Sequence, residues 1–271
     1  LINPWITDFA AYNFWIRPLG LLSLASLLRE NGWNVTLIDC LDHLSRRKQY
    51  GDGKFLRTEI EKPLPLKGVP RKYCQYGIPE SLFAERLSSL ERPDAVGITS
   101  GMTYWYPGLF KVIEIIKKMF RGVPIILGGI YATLCSEHAQ KHSGADLVFK
   151  GTTDLAGMKV MSELMGLNLK PYTSDLITDF PQYPAYDLYP NLDYVAVATS
   201  RGCPFRCPYC ASPYLNQCFY RRDPGEVVGE IEYWTTRCSV RNIAFYDDAL
   251  LFNPSEHFIP LMREVIRRGI H

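Results

Sequence analysis

Apolar positions along this chain switch repeatedly between two periods, and the switches mark its elements. Residues 18–31 place Leu19, Leu21, Leu22, Leu24, Ala25, Leu27 and Leu28 on a broad helical face that stops at Gly32. Residues 33–39 then read as a strand. The rhythm resumes with a helix near 80–91, a strand over 94–100, a helix near 105–120 and a strand over 123–127. A helix near 131–142, a strand over 145–150 and a helix near 154–165 follow. Leu1-Ile-Asn-Pro4 reads as the end of an earlier strand. Alternation of this kind predicts an α/β fold, a Rossmann-like doubly wound parallel sheet over residues 1–166. Ligands of such sheets lie beyond the carboxyl ends of the strands. Here those ends are the loop after Pro4, residues 39–42, Ser100-Gly-Met-Thr-Tyr-Trp, Gly128-Gly129-Ile-Tyr and Gly151-Thr-Thr-Asp.

Two stretches break the rhythm. Residues 41–80 hold Gly51, Gly53, Pro63, Pro65, Gly68, Pro70 and many cations. The pattern predicts an irregular insertion anchored by Tyr50, Phe55, Tyr73 and Tyr76, either a lid over the ligand edge or a solvated excursion. Residues 167–193, with Pro171, Pro181, Pro184 and Pro190, read as a linker to a second domain over 194–271. That domain opens with the apolar run Tyr194-Val-Ala-Val-Ala-Thr199. Asp223-Pro224 then announces a helix, with a cap residue followed by proline at the first helical position. A strand, Asn242-Ile-Ala-Phe-Tyr246, ends in Asp247-Asp248. That carboxylate pair is either a ligand-facing group, a helix cap or a surface pair.

Composition adds boundaries. The chain has 271 residues, 47% hydrophobic, with a formal net charge of +2. Nothing in that balance argues for nucleic acid or an anionic membrane surface as partner. No apolar run approaches the ~20 residues of a membrane span. Eight cysteines, three of them clustered, point to a reducing cytoplasm rather than a disulfide framework. Both ends look cut, with Ile270-His271 opening a further strand.

The chemistry concentrates in Thr199-Ser-Arg-Gly-Cys-Pro-Phe-Arg-Cys-Pro-Tyr-Cys-Ala211. Cys203, Cys207 and Cys210 form a C-x3-C-x2-C array just beyond a strand. Pro204 and Pro208 restrict the backbone between them, and Gly202 permits a sharp exit. Three thiolates in one loop suit a metal. They are one short of a closed tetrahedral zinc or an ordinary four-cysteine cluster. A zinc site would need Cys218 or Cys238 as its fourth ligand. Cys40, Cys74 and Cys135 have no partner at ligand spacing and read as buried thiols.

The array, with Arg201-Gly202 before it and Tyr209 inside it, resembles the signature of radical S-adenosylmethionine (SAM) enzymes. The resemblance implies that the second domain begins a (βα) partial TIM-type barrel. It also implies that Cys203, Cys207 and Cys210 hold a [4Fe-4S] cluster whose open iron chelates SAM. An external one-electron reductant then yields a 5′-deoxyadenosyl radical. Tyr209 is implied to lie near the adenine, and Asp247 and Asp248 near the SAM amino nitrogen. Arg201 and Arg206 either screen the charge of the cluster or are solvated surface cations. From Tyr194 onward only two to three βα repeats fit, at roughly 30 residues per βαβ unit. A barrel cut short, not competent alone, is therefore expected.

Residues 1–165 are similar to the cobalamin-binding domain that precedes the radical SAM domain in one large subclass, with the aromatic, proline-rich linker falling in place. Ile98-Thr-Ser-Gly-Met lies where that domain has its Ser-x-Leu element, and Leu127-Gly-Gly where it has paired glycines. Ser100, Gly128 and Gly129 thereby become candidate cobalamin contacts. The plainer reading of the glycines is a tight strand-to-helix turn. The D-x-H-x-x-G element is missing, since residues 5–17 hold no histidine and His43 does not fit its spacing. The leading expectation is a cobalamin-dependent methyltransferase or related radical enzyme acting on an unknown small molecule. The alternatives are a cobalamin-free radical oxidoreductase or ligase, and a zinc-stabilised binding module.

Overall fold

The structure is a computed structural model in which residues 1–151 and 183–270 are described. By internal contacts the chain divides into two compact units. One comprises residues 1–14 and 35–151, the other residues 15–34 and 152–271. The expected helix over 154–165 and most of the expected linker lie outside the described residues.

The first unit is built on five parallel strands: β1 (Ile2–Asn3), β4 (Ile38–Asp39), β9 (Val96–Ile98), β10 (Ile125–Leu127) and β11 (Leu147–Val148). Their spatial order is β11-β10-β9-β1-β4, with every pairing parallel. Strand order therefore reverses between β1 and β9, and a doubly wound sheet opens its ligand crevice at such a switch point. Ile2, Ile38, Val96, Ile98, Ile125 and Leu127 are all buried. Helices α2 (Glu80–Ser88) and α3 (Tyr106–Met119) cover them with Phe83, Leu87, Leu109, Val112, Ile113 and Ile116. The helix expected over 131–142 is two pieces, α4 (Ile130–Leu134) and α5 (Ser136–His142), broken at Cys135. Cys40 and Cys74 are buried as expected, and Cys135 is half-buried.

Residues 41–80 are not the irregular insertion their composition predicts. Strand β2 (Ile6–Asp8) pairs antiparallel with β8 (Cys74–Tyr76), which pairs with β7 (Arg57–Glu59). Strand β3 (Tyr12–Asn13) pairs with β6 (Gly53–Phe55), and that with β5 (Leu44–Arg47). The aromatic anchors explain the order. Phe55, Tyr73 and Tyr76 are buried, whereas Tyr50 stays exposed. Trp5 fills the base of this region, its indole N–H donating to Ile78 O at 2.7 Å.

In the second unit β12 (Tyr194–Val197) lies parallel to β15 (Asn242–Phe245) in full register. Helix α7 (Pro224–Arg237) crosses between them and α8 (Phe258–Arg267) follows, which gives two βα repeats. Asp223 caps α7 by accepting from the Gly225 and Glu226 amides, as the Asp-Pro pair predicts. Helix α1 (Leu19–Glu30), which the rhythm of the sequence places with the front sheet, groups with this unit. Ser26 donates to Tyr183 O at 2.7 Å, Ala185 N–H to Leu22 O at 3.1 Å, and Arg29 pairs with Asp187. The described end of the Pro- and Tyr-rich stretch is thus packed structure. Within it the buried Tyr186 hydroxyl donates to Ala196 O at 2.6 Å and accepts from Ala196 N at 2.8 Å, serving the open side of β12.

Candidate functional site

The carboxyl edge of the front sheet is shaped by backbone. Gly129 adopts φ +94°, and a Cβ there would stand 2.4 Å from Ser100 O and 2.6 Å from Ser100 N. Only glycine lets the turn after β10 close against the loop after β9. The Ser100 hydroxyl completes that junction, donating to Gly128 O at 2.6 Å and accepting from Ala132 N at 3.2 Å. Ser100 is buried and spends its hydroxyl on the turn. Gly128 differs from its neighbour, because a Cβ placed on it would meet nothing within 4 Å. Met102 and Tyr104 after β9 and Ile130 at the start of α4 are exposed large apolar side chains. This edge offers open space beside one glycine and apolar surface around it, a fit for one face of a flat macrocycle.

The second candidate edge lies past β12. Strand β13 (Ser200–Arg201) pairs antiparallel with β14 (Tyr220–Arg221), so the cysteine loop is closed at its base by a short ribbon. Gly202 turns the chain out of β13 at φ +75°, where a Cβ would sit 2.5 Å from Cys218 O. Cys203, Cys207 and Cys210 are all partly exposed. The Ser212 amide, at the start of α6 (Ser212–Leu215), donates to Cys210 Sγ at 3.4 Å. Tyr209 is 89% exposed. Its phenol is pushed upward by the hydrogen bond to Cys207 and then by the charge of that sulfur.

Among the described residues no three His, Cys, Asp or Glu side chains converge as ligands of one ion. A cluster asks less convergence than an ion does, since each thiolate takes its own iron. As fourth ligand Cys238 is badly placed, because it caps the carboxyl end of α7. That end lies beside the start of β15, a four-residue strand away from the loop, about 13 Å at 3.3 Å per residue. Cys218 is exposed at the foot of the ribbon.

The acidic pair ties the strand ends together. Asp247 accepts from the Thr199 amide, from the Thr199 hydroxyl at 2.8 Å and from the Ser200 hydroxyl at 2.5 Å. Asp248 accepts from the Ser212 hydroxyl, which links β15 to the exit of the cysteine loop. Arg201 bonds Asn216 and Arg206 reaches Gln217 O, both inside the loop. Three further residues support this edge without a signal in the sequence. His257 Nε2 lies 2.8 Å from Thr199 Oγ1. Arg222 pairs with Glu230 at 2.6 Å and donates to Ala198 O, both side chains being buried. Burial holds the Glu230 carboxyl above its ordinary range against the pull of Arg222.

The chain is similar to known proteins in sequence and in fold. Residues 66–160 match the B12 binding domain. Two curated methyltransferases are similar in sequence. The chain is 28% identical over 188 residues to the uncharacterized methyltransferase PH0819 of Pyrococcus horikoshii, covering 59% of this chain and 41% of that protein. It is 30% identical over 158 residues to the bacteriochlorophyllide d C-8(2)-methyltransferase of Chlorobaculum tepidum, covering 51% of this chain and 33% of that protein. Among solved structures, the radical S-adenosylmethionine methyltransferase TsrM from Kitasatospora setae, with tryptophan and a SAM analogue bound, shares the fold. The TM-score is 0.59 at 16% identity, over 98% of this chain and 50% of that one. The family match and the methyltransferase relatives agree with the cobalamin-binding resemblance read from the sequence, and the likeness to TsrM concerns the fold. The chain spans half or less of the length of each of the three proteins. Among the described residues no helix is long and apolar enough to cross a membrane.

Proposed function

We propose that this chain is part of a cobalamin-dependent radical SAM methyltransferase. The observation that carries the reading is the coincidence of a matched B12-binding domain with a three-cysteine loop at the carboxyl edge of a second βα unit. When bound, cobalamin supplies a transferable methyl group, and a cluster with SAM supplies one-electron chemistry.

The chain's own residues hold and orient. Cys203, Cys207 and Cys210 ligate the cluster. The β13–β14 ribbon and the Ser212 amide keep their sulfurs in place. Tyr209 offers an exposed ring beside the loop, suited to stacking on an adenine. Asp247 and Asp248 present carboxylates at the end of β15, where an ammonium would be welcome. On the front sheet the space over Gly128 admits the corrin, while Gly129 and Ser100 fix the turn beneath it.

The test uses the whole protein, purified without oxygen and reconstituted with iron, sulfide and cobalamin. The reading expects about four irons and retained corrinoid per chain. Iron without corrinoid would move the case to a cobalamin-free radical enzyme. Tightly held zinc without iron would sink both.

A further inference from the structure

The polar chain behind the cysteine loop has a direction that its atoms fix. Thr199 is fully buried at the end of β12. Its hydroxyl carries one hydrogen, and the Asp247 carboxylate, 2.8 Å away, only accepts. That hydrogen is therefore spent on Asp247 Oδ1. His257 Nε2 stands 2.8 Å from the same hydroxyl oxygen, and with the hydroxyl hydrogen already committed only an N–H can occupy that contact. His257 is thereby held as the Nε2–H tautomer. It is 3% exposed. Burial pushes its pKa down and the charge of Arg221 adds to this, against the charge of Asp247 and a hydrogen bond with the Thr199 backbone. A neutral ring with a fixed tautomer results.

The consequence appears on the carboxylate. Oδ1 receives the hydroxyls of Thr199 and Ser200, at 2.8 and 2.5 Å. Oδ2 receives only a share of the Thr199 amide, at 3.1 Å. Among the described residues the two oxygens are thus unequal, and Oδ2 keeps capacity for a further donor.

We propose that His257 is a positioning residue for the strand-end carboxylate. By donating to Thr199 it fixes the threonine hydroxyl on Asp247 Oδ1 and leaves Oδ2 for the ammonium of an amino-acid-type ligand such as SAM. The inference rests on reading the cysteine-loop edge as a SAM site, and it adds the residue that orients the acid and the oxygen that receives the ligand. Nothing in the sequence around Asn253-Pro-Ser-Glu-His257 marks it.

The test compares His257→Gln, which keeps a side-chain N–H, with His257→Leu, which removes it, in the whole protein reconstituted anaerobically. SAM affinity is read by equilibrium dialysis, and iron content is read alongside. The Leu variant is expected to bind SAM about tenfold more weakly, the factor corresponding to 1.4 kcal/mol. The Gln variant should stay within about threefold of the parent, with iron unchanged in both. A long-range ¹H–¹⁵N histidine spectrum of the unsubstituted protein, assigned by the signal missing in the Gln variant, should show His257 as Nε2–H. The Nδ1–H tautomer, or a Leu variant binding SAM as tightly as the parent, would overturn the proposal. Equal losses in both variants would overturn it too, because they would mark a packing role. Should the Leu variant not fold, Thr199→Val takes its place and is expected to lose the fixed tautomer. A parent protein with a full cluster and no SAM affinity would refute the SAM reading and the ligand half of the proposal, while the tautomer would still judge the network.

Discussion

At the front sheet, the loops beyond Ile98 and Leu127 meet through backbone, with a positive-φ glycine and one serine hydroxyl closing the gap. At the cysteine edge, the strand ends beyond Val197 and Phe245 meet through side chains, with Asp247, Asp248, Thr199, Ser200 and Ser212 joined by hydrogen bonds. The first edge stands on a dense apolar core and leaves room above Gly128. The second is backed by a buried ion pair and a buried histidine. A large flat ligand needs surface and clearance, which backbone supplies. A charged cluster and a zwitterionic ligand need oriented charge, which the polar side chains of this edge supply together with backbone amides. Substitutions on each side should therefore fail differently.

The largest effect belongs to the cysteine edge. Cys207→Ala is expected to abolish cluster binding in the whole protein, lowering iron per chain at least tenfold. Cys218→Ala should leave iron unchanged, because Cys218 lies outside the ligand set. Iron and sulfide analysis after anaerobic reconstitution checks both. Equal iron in the Cys207 variant would break the comparison outright.

Next comes the ion pair beneath that edge. Arg222→Met strips a buried carboxylate of its cation, and breaking such a pair from one side costs about 3–5 kcal/mol. The pH dependence has a definite sign. Burial already raises the Glu230 carboxyl above its unfolded value of 4.5, and losing Arg222 raises it further. A raised folded-state pKa contributes stability below the unfolded value and loses it as pH rises through the folded value. The variant should therefore be penalised more at pH 7.5 than at pH 4.5 in urea unfolding. A pH-independent penalty would show that Glu230 is charged or hydrated in the folded state.

The front sheet's counterpart is Gly129→Ala. Its Cβ would collide with Ser100 backbone at 2.4 and 2.6 Å, in a φ region that side chains rarely adopt. A loss of about 2–4 kcal/mol is expected from the strain and the displaced turn together. Denaturant unfolding measures it, and a loss under about 1 kcal/mol would show that the turn relaxes freely.

Legibility in the sequence follows the same division. The parallel strands were readable because burial on both faces leaves continuous runs such as Ile125-Ile-Leu127, separated by helical periods. The cysteine loop was readable because ligand spacing is local. The two small antiparallel sheets were not, because their strands of two to four residues are not separated by helical periods and lie in a stretch rich in Gly, Pro and charge, as with β8 around Tyr76, the partner of Ile6. Helix α1 joins the second unit through Ser26, Arg29 and Leu22, contacts that no local pattern announces. His257 and the Arg222–Glu230 pair were equally silent. A buried histidine and a surface histidine look alike in sequence until a strand end such as Thr199 is brought beside them.

Gly128→Ala carries the smallest cost in stability and separates cofactor from scaffold most sharply. Its Cβ enters open space and its φ is not in the left-handed region. Stability should therefore change by no more than about 1 kcal/mol in either direction. If the space over Gly128 is where the corrin lies, the added methyl group removes that clearance. Corrinoid retained by the whole protein should then fall about tenfold while its unfolding midpoint hardly moves. Retention at the parental level would show that both glycines serve the turn alone, and would shift the ligand to the β1–β9 switch point without β10. Because Gly129→Ala disturbs the fold and Gly128→Ala does not, the pair distinguishes a cradle from a hinge within two adjacent residues.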